Sequence, residues 1–333
     1  MAIDNRLKTW ADFRKGKQDS ELDFRMEDLN EMIGENENAF FSLKSFKDNQ
    51  ILDKAFYMPT SVDLIVNGSE PYKKPKDLNE VRLVVSDFAW TMSNYNGNES
   101  DNSIAICMSG VWKKNHFEIK VDYISIISTA DNADECAHEL KRLFWLYDAD
   151  YLVPDARSGG EAVMTSLSKN DTDEEYGSFI PARGLGICDN NVYHVAAPEK
   201  LKYYREHTID NNFVPCVIPV LGNLNINTQY WRATKLALER GFIKFLVSMG
   251  TKQEQLEDSG EYFKLTSEQL ANVLNPYGQT DMLITEAINL ESKIKADQII
   301  LEAPAKGHRD RIVTLGMGIL IFSLIENEWL KQN

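Results

Sequence analysis

The pattern of hydrophobic and polar positions changes near residue 80. Residues 1 to about 57 mix charges with isolated apolar positions, which predicts one or two surface helices and not a core. The stretch "NGSEPYKKPKDLNE", 67–80, contains Asn-Gly and two prolines and is typical of a linker. We therefore predict a helical lead-in and linker over 1–78 and one larger domain over 79–333.

Beyond this linker the periodicity becomes that of a β-sheet. The ranges 81–90, 101–112 and 116–128 are predicted strands, and the short turn "KKN" joins the second and third as a hairpin. Residues 131–148 have helical spacing behind an Asp/Asn cap, and "DYLVPDARSGG", 150–160, reads as a short strand ending in a glycine-rich turn. A right-handed crossover would lay this strand parallel to the first, which predicts an α/β domain with a mixed sheet flanked by helices.

The second half of the chain is less regular. Residues 166–224 contain the acidic run "DTDEE" and short apolar pieces such as "CVIPVL", and we interpret them as an insertion that holds small strands. Helical patterns follow over 228–249 and 281–293, then a fifth strand over 297–302 and a last apolar helix.

Composition excludes several classes of protein. The chain has 333 residues and a formal net charge of −15, which argues against a general nucleic-acid coat but not against a local basic groove. Its four cysteines are widely spaced without a CxxC pair, so neither a zinc site nor a disulfide framework is indicated, and we expect a reducing cytoplasm. No run of 18 uninterrupted apolar residues predicts a membrane span, and no GxxxxGK[ST] motif predicts an ATPase.

Aspartates stand at the ends of two predicted strands. Asp87 continues the apolar row of the first strand, and Asp155 does so on the fourth. If these strands are parallel neighbours, both carboxylates emerge at the edge where open α/β sheets bind ligands. Asp310, after the fifth strand, would add a third carboxylate at that edge.

Three carboxylates at one edge indicate a site for divalent metal ions. Like charges at short range are unfavourable unless a cation lies between them, and Mg²⁺ prefers carboxylate oxygens. Two such ions can activate water and stabilise a leaving oxygen. The competing interpretation is that each aspartate caps a helix or forms a turn, and Asp310 also suits the positive end of a helix dipole.

Basic residues surround the third aspartate in "KGHRDR". They are Lys306, Arg309 and Arg311, and Arg157 stands close to the second aspartate. His308 is a candidate proton shuttle or metal ligand, although a histidine in a turn is more often structural.

The motifs together resemble a known family. The order of "VVSDFAWT", a hairpin, "DYLVPDARSGGEAV", "TDMLITEAINLES" and "EAPAKGHRDRIVTLGMGI" is similar to the nuclease domain of the large terminase subunit of tailed bacteriophages. That domain belongs to the ribonuclease H-like superfamily, and the resemblance covers about residues 79–325. It implies a ribonuclease H-like mixed five-stranded sheet in which Asp87, Asp155 and Asp310 coordinate two Mg²⁺ or Mn²⁺ ions, with His308 beside them. It also makes Arg157, Lys306, Arg309 and Arg311 candidate contacts to DNA phosphates.

The resemblance also implies a function and partners. These are cleavage of double-stranded concatemeric viral DNA during packaging, together with a packaging ATPase, a portal protein and a small terminase subunit in the host cytoplasm at the procapsid portal. The alternatives left open are a Holliday-junction resolvase or transposase-like nuclease with the same acidic site, and a catalytically idle portal-docking module.

Overall fold

A computed structural model gives the architecture of most of the chain. It describes residues 39–57, 75–88, 103–127, 132–157, 160–170, 183–190, 193, 195–196, 198–209, 212–295, 298–304 and 308–332. The described strands are β1 (Gln50–Leu52), β2 (Glu80–Asp87), β3 (Ser103–Trp112), β4 (Phe117–Ile127), β5 (Tyr151–Pro154), β6 (Gly184–Ile187), β7 (Phe213–Val217), β8 (Ile243–Leu246), β9 (Glu291–Lys295) and β10 (Gln298–Glu302). The described α-helices are α1 (Leu43–Lys47), α2 (Ala133–Tyr147), α3 (Gly160–Leu167), α4 (Pro198–Glu206), α5 (Leu224–Glu239), α6 (Met249–Asp258), α7 (Ser267–Ile288) and α8 (Asp310–Gln332).

The predicted strand, hairpin, helix and strand are confirmed within a few residues. β2 pairs antiparallel with β3, and β3 pairs antiparallel with β4. The side chain of Asn132 caps α2 by accepting from the N–H of Asp134, and β5 then returns parallel to β2. The crossover therefore places β5 beside the first strand of the domain.

The main sheet has eight described strands in the order β1-β8-β4-β3-β2-β5-β7-β6. Every neighbouring pair is parallel except the two that β3 makes. The expected mixed sheet of an α/β domain is confirmed, but it has eight described strands where five were expected. Helices cover both faces, with α2 to α4 on one and α1, α5, α7 and α8 on the other.

The described parts of the segment 166–224 contribute to the main sheet. They supply β6 and β7, which extend the sheet beyond β5 in parallel, and α4 between them. The short strand expected at "CVIPVL" therefore lies within the domain and does not belong to a separate insertion.

Two predicted helices end earlier than the pattern suggested. Gly241, at φ +69°, terminates the helix expected over 228–249, and the following residues form β8 between β1 and β4. The helix expected over 281–293 ends at Ile288, and β9 follows it. In both cases a short apolar run cannot be assigned to helix or strand by periodicity alone, and strand pairing decides.

The predicted fifth strand is not in the main sheet. β10 pairs antiparallel with β9 in a separate two-stranded sheet that packs against α5. Asp310, which the prediction placed after this strand, is consequently not positioned at the edge of the main sheet by a strand.

Helix α8 is the central core helix, as its apolar sequence predicted. All twelve residues from Arg311 to Phe322 are buried. A Cβ on Gly318 would meet the Met108 sulfur at 2.4 Å, and one on Gly316 would meet the Tyr230 ring at 2.6 Å. The absence of side chains at these positions lets α8 lie directly on β2, β3 and α5. By length and composition alone α8 could also cross a membrane, but 67% of its apolar window is buried inside the protein.

The described part of the lead-in joins the same core. Phe41 and Phe46 are 1% and 0% exposed and pack in the cluster that contains α8, and β1 adds a strand to the sheet. Residues 39–57 therefore differ from the surface helices expected there. Residues 1–38 and 58–74 lie outside the described part, and a domain division at residue 78 stays a prediction.

Candidate active site

Two carboxylates lie side by side at the carboxyl end of the central strands. Asp87 is the last residue of β2, and Asp155 directly follows β5. In the parallel β2–β5 pair Ser86 faces Pro154, and the N–H of Asp155 donates to the Ser86 carbonyl oxygen at 2.8 Å. The next position on each strand is therefore an aspartate at the same edge of the sheet.

The third aspartate reaches this edge from a helix. Asp310 is the first residue of α8 and lines the same cleft as Asp87 and Asp155. The sequence pattern predicted that the fifth strand places Asp310 at this edge. In the structure the packing of α8 across β2 and β3 places it there. All three candidate acids are thus brought together.

The cleft between these elements has a volume of about 370 Å³. Its described walls come from β2, the loop after β5, α5, β10 and the start of α8. The residues that line it are Asp87, Phe88, Asp155, Arg157, Leu224, Asn227, Tyr230, Trp231, Ile299, Ile300, Leu301, Arg309, Asp310 and Val313. It is large enough for hydrated metal ions and a phosphodiester group.

The environment of Asp87 disfavours its charged form. The pKa of its carboxyl group is raised to about 7, chiefly by burial and then by the negative charges of Asp155 and Asp310. Arg157 and the N–H of Phe88 act in the opposite direction. The three carboxylates are therefore electrostatically coupled, and a cation among them would relieve the repulsion.

Arg157 contacts the second carboxylate directly. Its backbone N–H donates to Asp155 Oδ1 at 3.0 Å, and its guanidinium reaches Oδ2 at 3.2 Å through one terminal nitrogen. The loop is tight, because a Cβ on Gly160 would lie 2.2 Å from the Asp155 carbonyl oxygen, and Tyr204 donates to the Ala156 carbonyl at 3.0 Å. These contacts fix where Asp155 points.

Helix α5 contributes a wall that the sequence reasoning missed. Asn227 and Tyr230 are three residues apart and both line the cleft. Burial raises the pKa of the Tyr230 hydroxyl, while Arg157 and Arg309 lower it, so the group remains protonated at neutral pH. The available signal was a polar residue at i and an aromatic residue at i+3 on one helix face.

The basic residues around Asp310 have different positions. Arg309 is exposed, lines the cleft and donates to the Leu301 carbonyl oxygen at 3.1 Å. His308 is half-buried and is not among the described residues that line the cleft. Lys306 lies outside the described residues.

Arg311 faces the protein interior, contrary to the expectation that it contacts DNA. It is 2% exposed and forms an ion pair with Glu286, whose other oxygen accepts from the Arg311 backbone N–H at 3.0 Å. The guanidinium also donates to Gln279 Oε1 at 3.0 Å. Arg311 therefore connects the first turn of α8, and with it Asp310, to α7. A guanidinium buried in this way does not face a phosphate in the cleft.

The donor set of the cleft suits a hard divalent cation. Carboxylate oxygens are the ligands that Mg²⁺ and Mn²⁺ prefer, and the raised pKa of Asp87 reflects its burial and the two acids beside it. Over the part of the chain that is described, no three His, Cys, Asp or Glu side chains already stand in a ligating arrangement. The residues fit a metal chemically, but an ion would have to draw the carboxylates closer together.

Comparisons with known proteins find solved structures of low sequence identity. No protein-family model matches the chain, and no curated protein matches its sequence. Among solved structures it is similar to the large terminase nuclease from thermophilic phage G20c with bound magnesium, at 14% identity and a TM-score of 0.41, covering 86% of this chain and 98% of that one. It is also similar to the nuclease domain of the large terminase subunit of bacterial virus Sf6 with manganese, at 8% identity and a TM-score of 0.39, covering 84% and 98%.

A longer solved structure is similar over half its length. The chain resembles the HK97 bacteriophage large terminase at 7% identity and a TM-score of 0.40, with 95% of this chain covering 51% of that one.

Proposed function

We propose that this chain is a metal-dependent endonuclease that cuts double-stranded DNA during viral genome packaging. The observation that carries the proposal is the convergence of Asp87, Asp155 and Asp310 in one cleft, where two of them raise the pKa of the third. Carboxylates that only cap helices or turns have no reason to converge from two strands and a helix.

The cleft also contains groups suited to a phosphate. Arg157 and Arg309 reach it from two separate segments, the loop after β5 and the turn before α8. Guanidinium groups bind phosphate oxygens through paired hydrogen bonds, so these two would hold the backbone of the duplex. No described base-reading helix accompanies them in the cleft, and we expect low sequence specificity.

The three aspartates would hold two divalent ions. Bound there, the ions would supply the activation of water and the stabilisation of the leaving 3′ oxygen. Asp87 and Asp155 are fixed by adjacent strands, and Asp310 is fixed by the tie between Arg311 and Glu286. His308, two residues before Asp310, would move protons at the rim of the cleft, and the protonated hydroxyl of Tyr230 would donate to a phosphate oxygen.

The wider assembly is part of the proposal. We expect the duplex to be delivered by a packaging ATPase domain, with a portal protein and a small terminase subunit as further partners at the procapsid. The net charge of −15 supports dependence on such partners, because an acidic chain is repelled by DNA overall, whereas the described cleft offers two arginines to attract a phosphate.

The experiment is a plasmid cleavage assay. Supercoiled plasmid is incubated with the protein and Mn²⁺, and we expect nicked and linear products that EDTA abolishes. Asp155→Asn should lower the rate at least roughly 100-fold, more than the loss of an outer-shell partner costs. Asp150→Asn is the matched control, because Asp150 precedes the same strand at the opposite edge and pairs with Lys76.

Three results would overturn the proposal in different ways. Cleavage that persists in EDTA, or in the Asp155→Asn variant, would show that the three carboxylates are not the catalytic site. A strong preference for a four-way junction over linear duplex would favour the resolvase alternative. The absence of cleavage at any protein concentration would favour a docking module.

A further inference from the structure

The guanidinium of Arg157 lies on a carboxylate that a metal would need. Its Nε is 3.4 Å from both oxygens of Asp155, and one terminal nitrogen is 3.2 Å from Oδ2. Asp155 is 7% exposed, so this pair supplies much of the charge compensation that the carboxylate receives. The guanidinium thus lies against the same carboxylate oxygens that a divalent ion would use as ligands.

The contact is loose and can be exchanged. Strong guanidinium–carboxylate hydrogen bonds measure about 2.7–2.9 Å, and those of Arg157 are all longer. The side chain of Arg157 is also 47% exposed. A better partner that enters from solvent, such as a phosphate with two oxygens in the plane of the guanidinium, could therefore displace Asp155.

The orientation of Asp155 does not depend on the guanidinium. The backbone N–H of Arg157 donates to Asp155 Oδ1 at 3.0 Å, and this bond persists whatever side chain residue 157 carries. The side chain can leave while the carboxylate remains in place for a metal ion.

Gly222 leaves room for the guanidinium of Arg157 beside the cleft, because a glycine has no side chain. A Cβ on Gly222 would lie 3.1 Å from Cζ of Arg157 and 2.9 Å from Oδ1 of Asn227. In the described surroundings that amide oxygen is buried without a hydrogen-bond partner. The guanidinium, the amide of Asn227 and the acids thus share one cleft.

We propose that Arg157 is an exchangeable counter-ion that couples metal binding to DNA binding. In the free protein it neutralises Asp155 and weakens metal binding. When duplex DNA enters, Arg157 transfers to a phosphate and releases Asp155 for the metal. This rests on the proposed function, and it makes the site load its metal fully only when the substrate is present.

Thermodynamic linkage gives the proposal a measurable form. If DNA raises the affinity for metal by some factor, metal must raise the affinity for DNA by the same factor. Removal of the guanidinium should raise the affinity for metal in the absence of DNA, because Asp155 is then available without DNA. The further gain in metal affinity that DNA causes should therefore be smaller.

The test measures Mn²⁺ affinity directly, by the electron paramagnetic resonance signal of the free ion. The full-length chain is titrated with and without a short duplex, whose integrity is checked on a gel. We expect Arg157→Gln without DNA to bind Mn²⁺ more tightly than the wild type, by a factor on the order of 3 to 10, as for a partly exposed charge pair. The added duplex should then tighten Mn²⁺ binding less than it does in the wild type.

Arg309→Gln is the matched control, since it removes the same charge from the same cleft but from a guanidinium that bonds the Leu301 carbonyl. It should weaken duplex binding, but without DNA its Mn²⁺ affinity should stay near that of the wild type, and a saturating duplex should tighten Mn²⁺ binding as it does in the wild type. Equal or weaker Mn²⁺ binding by Arg157→Gln, or the same gain in Arg309→Gln, would refute the proposal while leaving the nuclease site intact. If neither wild type nor Arg157→Gln binds Mn²⁺ in a way that Asp87→Asn weakens, the metal site fails, and this inference falls with it.

Discussion

At the scale of single residues, the pKa of Asp87 reflects the burial and the charges of the site. Its pKa lies near 7, above the ordinary value of 3.8, because it is buried beside two other acids. Between pH 4 and 7 the folded chain therefore holds a proton that the unfolded chain has lost. The stability that this proton contributes is complete below pH 4 and disappears as the pH rises through 7.

Substitution of Asp87 by Asn should remove this pH dependence. From pH 5 to pH 8, in EDTA, we expect the wild type to lose about 2 kcal/mol more free energy of unfolding than Asp87→Asn, after allowance for partial exposure. Urea unfolding at four pH values measures this difference. Asp150→Asn should follow the wild type, and parallel profiles for wild type and Asp87→Asn would contradict the coupling of the three acids.

Arg309 and Arg311 are nearly adjacent but should respond differently to substitution. Arg311→Ala leaves Glu286 buried without its cation, and we expect a loss of about 3–5 kcal/mol in the free energy of unfolding. Arg309→Ala should change stability by less than about 0.5 kcal/mol, because the residue is exposed. It should instead weaken DNA binding in a fluorescence anisotropy titration. A comparable stability loss in both variants would contradict these placements.

At the scale of elements, the packing of α8 decides where the third acid lies. Gly316 and Gly318 let the helix approach α5 and the sheet more closely than any other residue would allow. The same contact positions Tyr230, which lies on Gly316 and also lines the cleft. A change in this contact should therefore affect both stability and the shape of the site.

A methyl group at residue 316 should separate the two elements. Gly316→Ala places a Cβ 2.6 Å from the buried ring of Tyr230, and we expect a loss of about 1–3 kcal/mol in the free energy of unfolding, together with slower cleavage. Gly250→Ala is the helical control, since nothing lies within 4 Å of its Cβ, and should be neutral or gain up to about 1 kcal/mol. Urea unfolding and the plasmid assay measure both, and equal effects would show that the close approach does not matter.

At the scale of the whole molecule, an acidic chain offers few cations to DNA at the candidate site. The net charge is −15, whereas the described cleft presents only Arg157 and Arg309 to a phosphate backbone. Nonspecific DNA binding grows with the number of phosphates neutralised, so the isolated chain should bind random duplex weakly.

The salt dependence of DNA binding measures how many contacts are made. With two or three cations engaged, a plot of log affinity against log salt should have a slope of about −2 to −3. Fluorescence anisotropy from 50 to 200 mM salt gives this slope, and Arg309→Ala should make it shallower by about one. A slope steeper than about −5 would indicate a larger basic surface than the described residues present.

The sequence by itself determined the central strands and the strand-end acids. Alternation of apolar residues fixed β2 to β5, since side chains on a strand point to opposite faces, and the crossover rule then placed Asp155 beside Asp87. These features depend on local periodicity and chain direction, which a single sequence carries.

The tertiary structure alone decided which neighbour each remaining segment pairs with. The segments of β8 and β9 were predicted as helix, because short apolar runs are ambiguous until a partner strand is present. β10 was predicted in the main sheet but pairs with β9 outside it. The burial of Arg311 and the wall formed by Asn227 and Tyr230 depend on how α7, α5 and α8 pack, which involves residues far apart in the chain. The acids could therefore be read from the sequence, but their surroundings required the fold.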